Sequence, residues 1–412
     1  MKKTDWLTIA QFVFSLLAVL TAWGVAAGAA LISFLGASYE AALPTASLAI
    51  GALAVSLLVL PSTVLAFLRL IDKPLRRGLA LPRWWPAILV AALILTLLLG
   101  VWTVGSPLEW LVLPLLHILA VGLPIVLLVY LGIRRLQPGS PQRRWGVFDS
   151  GLVLGPLLIM FAEIGAVVLF GLLGAVFLTS RPDLLEQLFE LASEITRPGV
   201  TTEEITRMIG PLLLQPGVIT AAFVFVAVVV PLIEEAFKPV GVLLLFGRLH
   251  RPAAGFVAGL LSGAGYAMFE SLAAFSNGEE WATVAVVRMG TAAVHIVTTG
   301  LVGWALVGAW REKRYLQLGL TYLAAVAIHG SWNATTITLL VSQLSASQPT
   351  PRELPLISSL ASAAPVILGL LTILCLSLIF IWNRRLVRSQ AAAPELVIQE
   401  ASTDSDTVEN VL

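Results

Sequence analysis

The run GVITAAFVFVAVVVPLIEEAFKPVGVLLLF, residues 217–246, is apolar throughout except where two glutamates and a lysine interrupt it. About 20 apolar residues suffice for one helical crossing of a bilayer, so this stretch reads as a membrane span with charges at depth. Each charged group there costs ~2.5–3.5 kcal/mol on insertion scales. Glu234, Glu235 and Lys238 must therefore face protein or water and not acyl chains.

Outward from that run, the chain repeats the pattern. Of its 412 residues 58% are apolar and only 12% charged, with a mean hydropathy of +0.93; a soluble domain carries roughly 25% charged residues. Apolar runs near 6–35, 44–68, 85–105, 109–133, 146–179, 217–246, 253–276, 283–310, 316–343 and 356–383 give about ten candidate spans. The predicted fold is an all-α polytopic transmembrane bundle with short interfacial helices. A net charge of +1 gives no footprint for nucleic acid or a strongly acidic substrate. The single cysteine, Cys375, excludes an intrachain disulfide, a thiolate metal cluster and a dithiol redox pair.

The basic residues set the orientation, because Lys and Arg gather on the cytoplasmic side. Lys2 and Lys3, Arg69 to Arg83, Arg134 to Arg144, Arg248 and Arg251, Arg311 to Arg314, and Arg384 to Arg388 fall on alternate connections, whereas the other side holds Arg181, Arg197, Arg207 and Arg352. The expectation is a multi-pass protein of the cell membrane with both termini cytoplasmic. The first run is far longer than a signal-peptide core of 7–15 residues, and it reads as a retained helix.

The chain divides into a five-helix membrane region (1–180), an amphipathic extracytoplasmic insertion (181–215), a four-helix core (216–345), a last span (346–385) and an acidic, disordered cytoplasmic tail (386–412). Within the insertion, Leu184, Leu188, Leu191 and Ile195 keep helical spacing opposite Glu186, Glu190 and Glu194, and Thr201 with Glu204 forms a capping box for a second short helix. Both helices are expected to lie flat on the outer surface.

Ionisable residues concentrate in the core: Glu234, Glu235 and Lys238 on one span, Glu270 on the next, Arg288 and His295 on the third, and His329 with Asn333 on the fourth. Lys238 lies within helical reach of either neighbouring glutamate, Arg288 and His295 share a stripe, and His329 and Asn333 are one turn apart. Three carboxylates against Lys238 and Arg288 leave one negative charge in excess. A proton on a carboxyl, a protonated histidine or a bound metal cation would compensate it. Glycines 255, 259 and 263 make a close-packing seam that brings Glu270 toward its neighbours. Outside the core, His117 and Glu163 read as satisfied packing contacts.

The stretches EEAFK (234–238), GLLSGAGYAMFES (259–271), RMGTAAVH (288–295) and HGSWN (329–333), in this order on four consecutive spans, together resemble the PrsW family of intramembrane proteases. That family is similar in turn to the group of CAAX prenyl endopeptidases and Abi proteins. The resemblance covers about residues 215–340. It implies that Glu234 and Glu235 are the glutamate pair, Glu270 the second-motif glutamate, and His295 and His329 the two histidines. The family often has Asn after the second-motif glutamate, where this chain has Ser271.

An intramembrane endopeptidase needs a water, a base for it and donors for the oxyanion. One of Glu234 and Glu235 would activate water while the other pairs with Lys238, and His295, His329 and Asn333 would polarise water or carbonyl. Arg288 would bridge to Glu270. If a divalent metal such as zinc serves the reaction, His295 and His329 with Glu234 or Glu235 would supply its ligands; a metal-free glutamate mechanism stands beside it. The implied partners are the lipid bilayer and single-pass or membrane-anchored protein substrates, regulators such as anti-sigma factors among them. The rival reading is a proton- or ion-coupled transporter using the same buried Glu, His and Lys residues.

Overall fold

The computed structural model describes residues 6–35, 39–73, 82, 84–275, 278–348 and 354–391. Lys2, Lys3, Arg76, Arg77, Arg83, Arg352 and the acidic tail beyond 391 lie outside the described residues. Fifteen α-helices follow in chain order: α1 Trp6–Leu35, α2 Tyr39–Leu70, α3 Trp85–Thr103, α4 Glu109–Ile133, α5 Pro141–Asp149, α6 Gly155–Thr179, α7 Pro182–Ile195, α8 Thr202–Leu213, α9 Pro216–Val224, α10 Val230–Phe237, α11 Val240–Leu243, α12 Pro252–Ala273, α13 Trp281–Glu312, α14 Tyr315–Ala346 and α15 Pro355–Ala391.

Among the described residues nine helical stretches are long and apolar enough to cross a membrane, and the chain is a multi-pass membrane protein. The expected span at 316–343 folds as α14, 32 residues long. It is not among the nine because polar residues such as His329, Asn333, Thr335 and Thr338 lower its mean hydropathy. The last helix runs on to Ala391, beyond the expected boundary at 385.

Two of the spans contain a π turn, Ser150–Leu154 between α5 and α6 and Phe225–Val229 between α9 and α10. The cause is local. Pro156 and Pro231 each stand two residues past such a turn and have no N–H to return to the carbonyl four residues back, and one widened turn absorbs the mismatch. Pro239 acts likewise on the Glu235 carbonyl, and the helix breaks between α10 and α11.

The described chain divides into two compact units. The first comprises Met1–Pro156, Lys238–Ala325 and Thr372–Leu412; the second comprises Leu157–Phe237 and Val326–Leu371. In the first, α12 and α13 form the centre, with 78% and 94% of their apolar windows buried. The glycine seam predicted from spacing is what joins them. A Cβ on Gly259 would strike the Thr299 carbonyl and come within 2.9 Å of the Gly300 Cα, and one on Gly263 would lie 2.7 Å from the His295 carbonyl oxygen. Around this pair, α4 packs Leu113, Leu116 and Ala120 against Trp281 and Ala285 of α13. Cys375 is buried. A polar cluster ties α1, α2 and α5: Gln11 donates to the Ser62 hydroxyl at 3.0 Å, and Gln142 donates to the Thr8 hydroxyl at 3.1 Å.

In the second unit Leu214, Ile337 and Val341 make a small core with Phe223, Val226, Leu354 and Ile357 packed on it. Much of α6 is exposed apolar surface, with Phe161, Ile164, Leu172 and Val176 all uncovered, the surface a lipid-facing helix presents. Helix α7 is exposed except at Leu184, Leu188, Leu191 and Ile195, the predicted stripe. At the start of α8 both hydrogen bonds of the capping box form, Glu204 N–H to the Thr201 hydroxyl at 3.2 Å and Thr201 N–H to the Glu204 carboxylate at 2.9 Å.

Candidate active site

In the second unit, α10 carries the glutamate pair and α14 the histidine. His329 Nδ1 lies 3.1 Å from Glu235 Oε1, and His329 Nε2 lies 3.8 Å from Glu234 Oε2. All three residues are buried, Glu235 and His329 with 0% and 2% of their surface exposed. The first contact is a hydrogen bond; the second is too long for one.

What seats His329 here is its neighbourhood on α14. Gly330 rests directly on the Ala227 carbonyl, the group Pro231 leaves unanswered, and a Cβ would clash with that oxygen. One turn on, the Asn333 amide donates to the Val226 carbonyl at 3.0 Å. Of the residues flanking His329, Asn333 therefore holds one carbonyl of the π turn and Gly330 leaves room for another. Asn333, expected to help an oxyanion, uses one amide hydrogen to hold the helix.

The first unit holds the other named residues. His295 is bracketed: Lys238 Nζ stands 2.7 Å from its Nδ1, and Glu270 Oε2 stands 2.5 Å from its Nε2. With the ammonium donating to Nδ1, the tautomer is fixed with the proton on Nε2, which donates to the carboxylate. Arg288 grips Glu270 with two nitrogens, at 3.1 and 2.9 Å; the expected α12–α13 salt bridge is present. Lys238, expected beside a glutamate, meets this imidazole, and its ammonium also lies 4.9 Å from the centre of the Tyr266 ring. Tyr266 meets His295 edge-on, with ring centres 5.1 Å apart.

Two contributors, Ser262 and Tyr266, were not singled out from the sequence, and a third, His117, was named there only as a packing contact. The Ser262 hydroxyl donates to the Lys238 carbonyl at 2.6 Å and lies 3.3 Å from the Gly241 N–H, so it mends the break at Pro239 and fixes where Lys238 emerges. Tyr266, one turn further along α12, supplies the aromatic wall for both Lys238 and His295. His117 of α4, read as a packing contact, donates from Nε2 to the Ser271 carbonyl at 2.8 Å and packs edge-on against Phe275. A polar Ser262 and an aromatic Tyr266 amid the small residues of GLLSGAGYAMFES were the available signals.

A multi-pass helical protein that buries carboxylates against imidazoles is of the class that handles protons or water within the bilayer. The family model of the PrsW family intramembrane metalloproteases matches residues 155–360, half of the chain, and the chain belongs to that family. It is therefore an intramembrane peptidase acting on protein substrates at the membrane. The match includes every candidate from Glu234 to Asn333 and leaves α1 to α5 outside it. No curated protein and no solved structure matches the chain.

The family description implies a metal, and the donor chemistry fits one. A metal-bound histidine ordinarily gives its other ring N–H to a carboxylate, which is the relation of His329 Nδ1 to Glu235. That leaves Nε2 turned toward Glu234 across 3.8 Å, near the ~3.3 Å that separates neighbouring ligands held ~2.0–2.1 Å from one tetrahedral metal.

Proposed function

We propose that the chain hydrolyses peptide bonds of single-pass or membrane-anchored proteins, regulators such as anti-sigma factors among them, with Glu234, Glu235, His295 and His329 as its catalytic residues and 216–345 as its core. One observation carries this reading: His329 is held between two buried glutamates in a chain of an intramembrane peptidase family. The family match favours hydrolysis over the rival transporter reading.

Glu235 accepts the Nδ1–H of His329 and fixes the ring, so that Nε2 points at Glu234. In the metal-free mechanism Glu234 takes the proton of the attacking water and returns it to the leaving amine. When bound, a divalent metal such as zinc would lower the pKa of that water and polarise the carbonyl; His329 Nε2 and Glu234 would hold it. The sequence reading adds His295 as a further ligand. In the structure Lys238 and Glu270 meet its two ring nitrogens, so a metal or a substrate carbonyl would have to take one of those two positions, with Glu270 and Arg288 fixing the ring until then.

The test is cleavage of a single-pass reporter in vesicles by the wild type, Glu234→Gln, Glu235→Gln and His329→Ala. Loss of cutting in all three is expected. Equal cutting by all four proteins ends the proposal, and activity that survives a strong chelator removes the metal from it. The flat helices α7 and α8 are proposed to screen substrates at the outer surface; deleting 183–195 should broaden the set of reporters cut.

A further inference from the structure

We propose that His117, on α4 and outside the family-matched segment, is a positioning residue for hydrolysis: it anchors the end of α12 on which Glu270 and Ser271 stand. The inference rests on the peptidase reading above and adds to it a residue from the five-helix amino-terminal region.

His117 is 2% exposed, and its Nε2 lies 2.8 Å from the Ser271 carbonyl oxygen. A carbonyl accepts, so the ring carries its proton on Nε2. Ser271 stands in the last turn of α12, which ends at Ala273, where helical carbonyls run out of intrahelical donors. His117 supplies that donor from another helix.

The same serine is gripped from a second direction. Arg288 Nε donates to its hydroxyl at 3.3 Å while the other guanidinium nitrogens hold Glu270. Glu270 in turn receives His295 Nε2. A continuous series of contacts therefore runs from His117 through Ser271 to Arg288, Glu270, His295 and Lys238, all within the first unit. Phe275, just past α12, closes on the imidazole edge with ring centres 5.3 Å apart. The helix that carries His117 is itself fixed on α13 by Leu113, Leu116 and Ala120.

A buried carbonyl without its donor keeps its full desolvation penalty, so loss of the imidazole frees the end of α12. Glu270 and Arg288 then hold His295 less closely, while substrate binding is untouched. Glutamine is the conservative replacement, because its terminal nitrogen reaches about as far from Cβ as Nε2 does and still donates; leucine fills the space and cannot donate.

The experiment uses the full-length protein in vesicles with the single-pass reporter, comparing wild type, Glu234→Gln, His117→Leu and His117→Gln, with amide hydrogen exchange followed over residues 266–275. His117→Leu should lower kcat about tenfold with KM changed less than about twofold, and His117→Gln should return kcat to within about threefold of wild type. Exchange should rise in His117→Leu alone. Wild-type kcat in His117→Leu, or no rescue by His117→Gln, overturns the proposal. If wild type and Glu234→Gln cut equally, the peptidase reading fails separately, and unchanged exchange in His117→Leu still overturns the anchoring of α12.

Discussion

At the scale of single residues, the glutamate pair is asymmetric, and the asymmetry predicts unequal effects. Glu235 touches His329 within hydrogen-bond range, whereas Glu234 faces the other ring nitrogen across a wider gap. Glu235→Gln keeps an acceptor oxygen for Nδ1–H, so cleavage should fall by about 10–100-fold, the usual loss for a group that orients a ligand. Glu234→Gln removes the base itself and should cost about 10²–10⁴-fold. Single-turnover cleavage rates distinguish the two, and a larger loss at Glu235 would reverse the assignment. Metal analysis of the purified protein makes a second, independent prediction. Wild-type protein should retain a divalent metal that Glu234→Gln and His329→Ala lose, with Glu235→Gln binding it about 10–100-fold more weakly. Equal metal content in all four would remove Glu234 and His329 as ligands.

At the scale of helices, the glycine seam decides whether α12 and α13 meet. Gly259→Ala would drive a methyl group into the Thr299 carbonyl and the Gly300 backbone, neither of which can rotate aside. A loss of about 1–3 kcal/mol is expected for such overpacking, read as a lower unfolding temperature in detergent with reduced cleavage. Gly165→Ala on α6 meets nothing within 4 Å and should leave both unchanged. The exposed Glu204 at the start of α8 adds a pH effect. The Thr201 N–H holds the Glu204 carboxyl below the ordinary glutamate value. A depressed folded-state pKa gives support that is present above the unfolded value and lost as pH falls through the folded one. Protection of the amides at the start of α8, measured against the intrinsic exchange rate at each pH, should therefore fall on acidification through that range, and Glu204→Gln should abolish that change in protection. Helix positions were legible because apolar runs end at charge, and the amphipathic spacing of α7 survived into the structure. The π turns were not foreseen, although Pro156 and Pro231 mark them: a proline within an apolar run announces a defect without saying whether the chain kinks, breaks or widens. His329 was legible as a polar intruder; its seat was not, since Asn333 donates to one carbonyl and Gly330 makes room for another, and both stand where they do only once the π turn has formed.

At the scale of the whole molecule, the parity of the crossings fixes whether the two termini lie on the same side, and α14 decides that parity. Its 32 residues extend ~48 Å at ~1.5 Å per residue, well beyond the ~30 Å of hydrocarbon. Its polarity does not oppose a crossing, because His329, Thr335 and Thr338 are buried within the protein while Leu316, Leu320, Leu323 and Leu340 are exposed. Apolar residues outside and polar residues inside is the pattern of a span that lines a site. Adding α14 to the nine apolar stretches makes an even number, and the basic residues on alternate connections then predict that both termini are cytoplasmic. The native thiol of Cys375 is buried, which suits labelling by introduced cysteines. In a Cys375→Ala background, Lys3→Cys and Glu400→Cys should react with a membrane-impermeant thiol reagent only in inverted vesicles, and Glu194→Cys on α7 only in right-side-out ones. Opposite behaviour of Lys3→Cys and Glu400→Cys would mean nine crossings, and α14 would then not be a span.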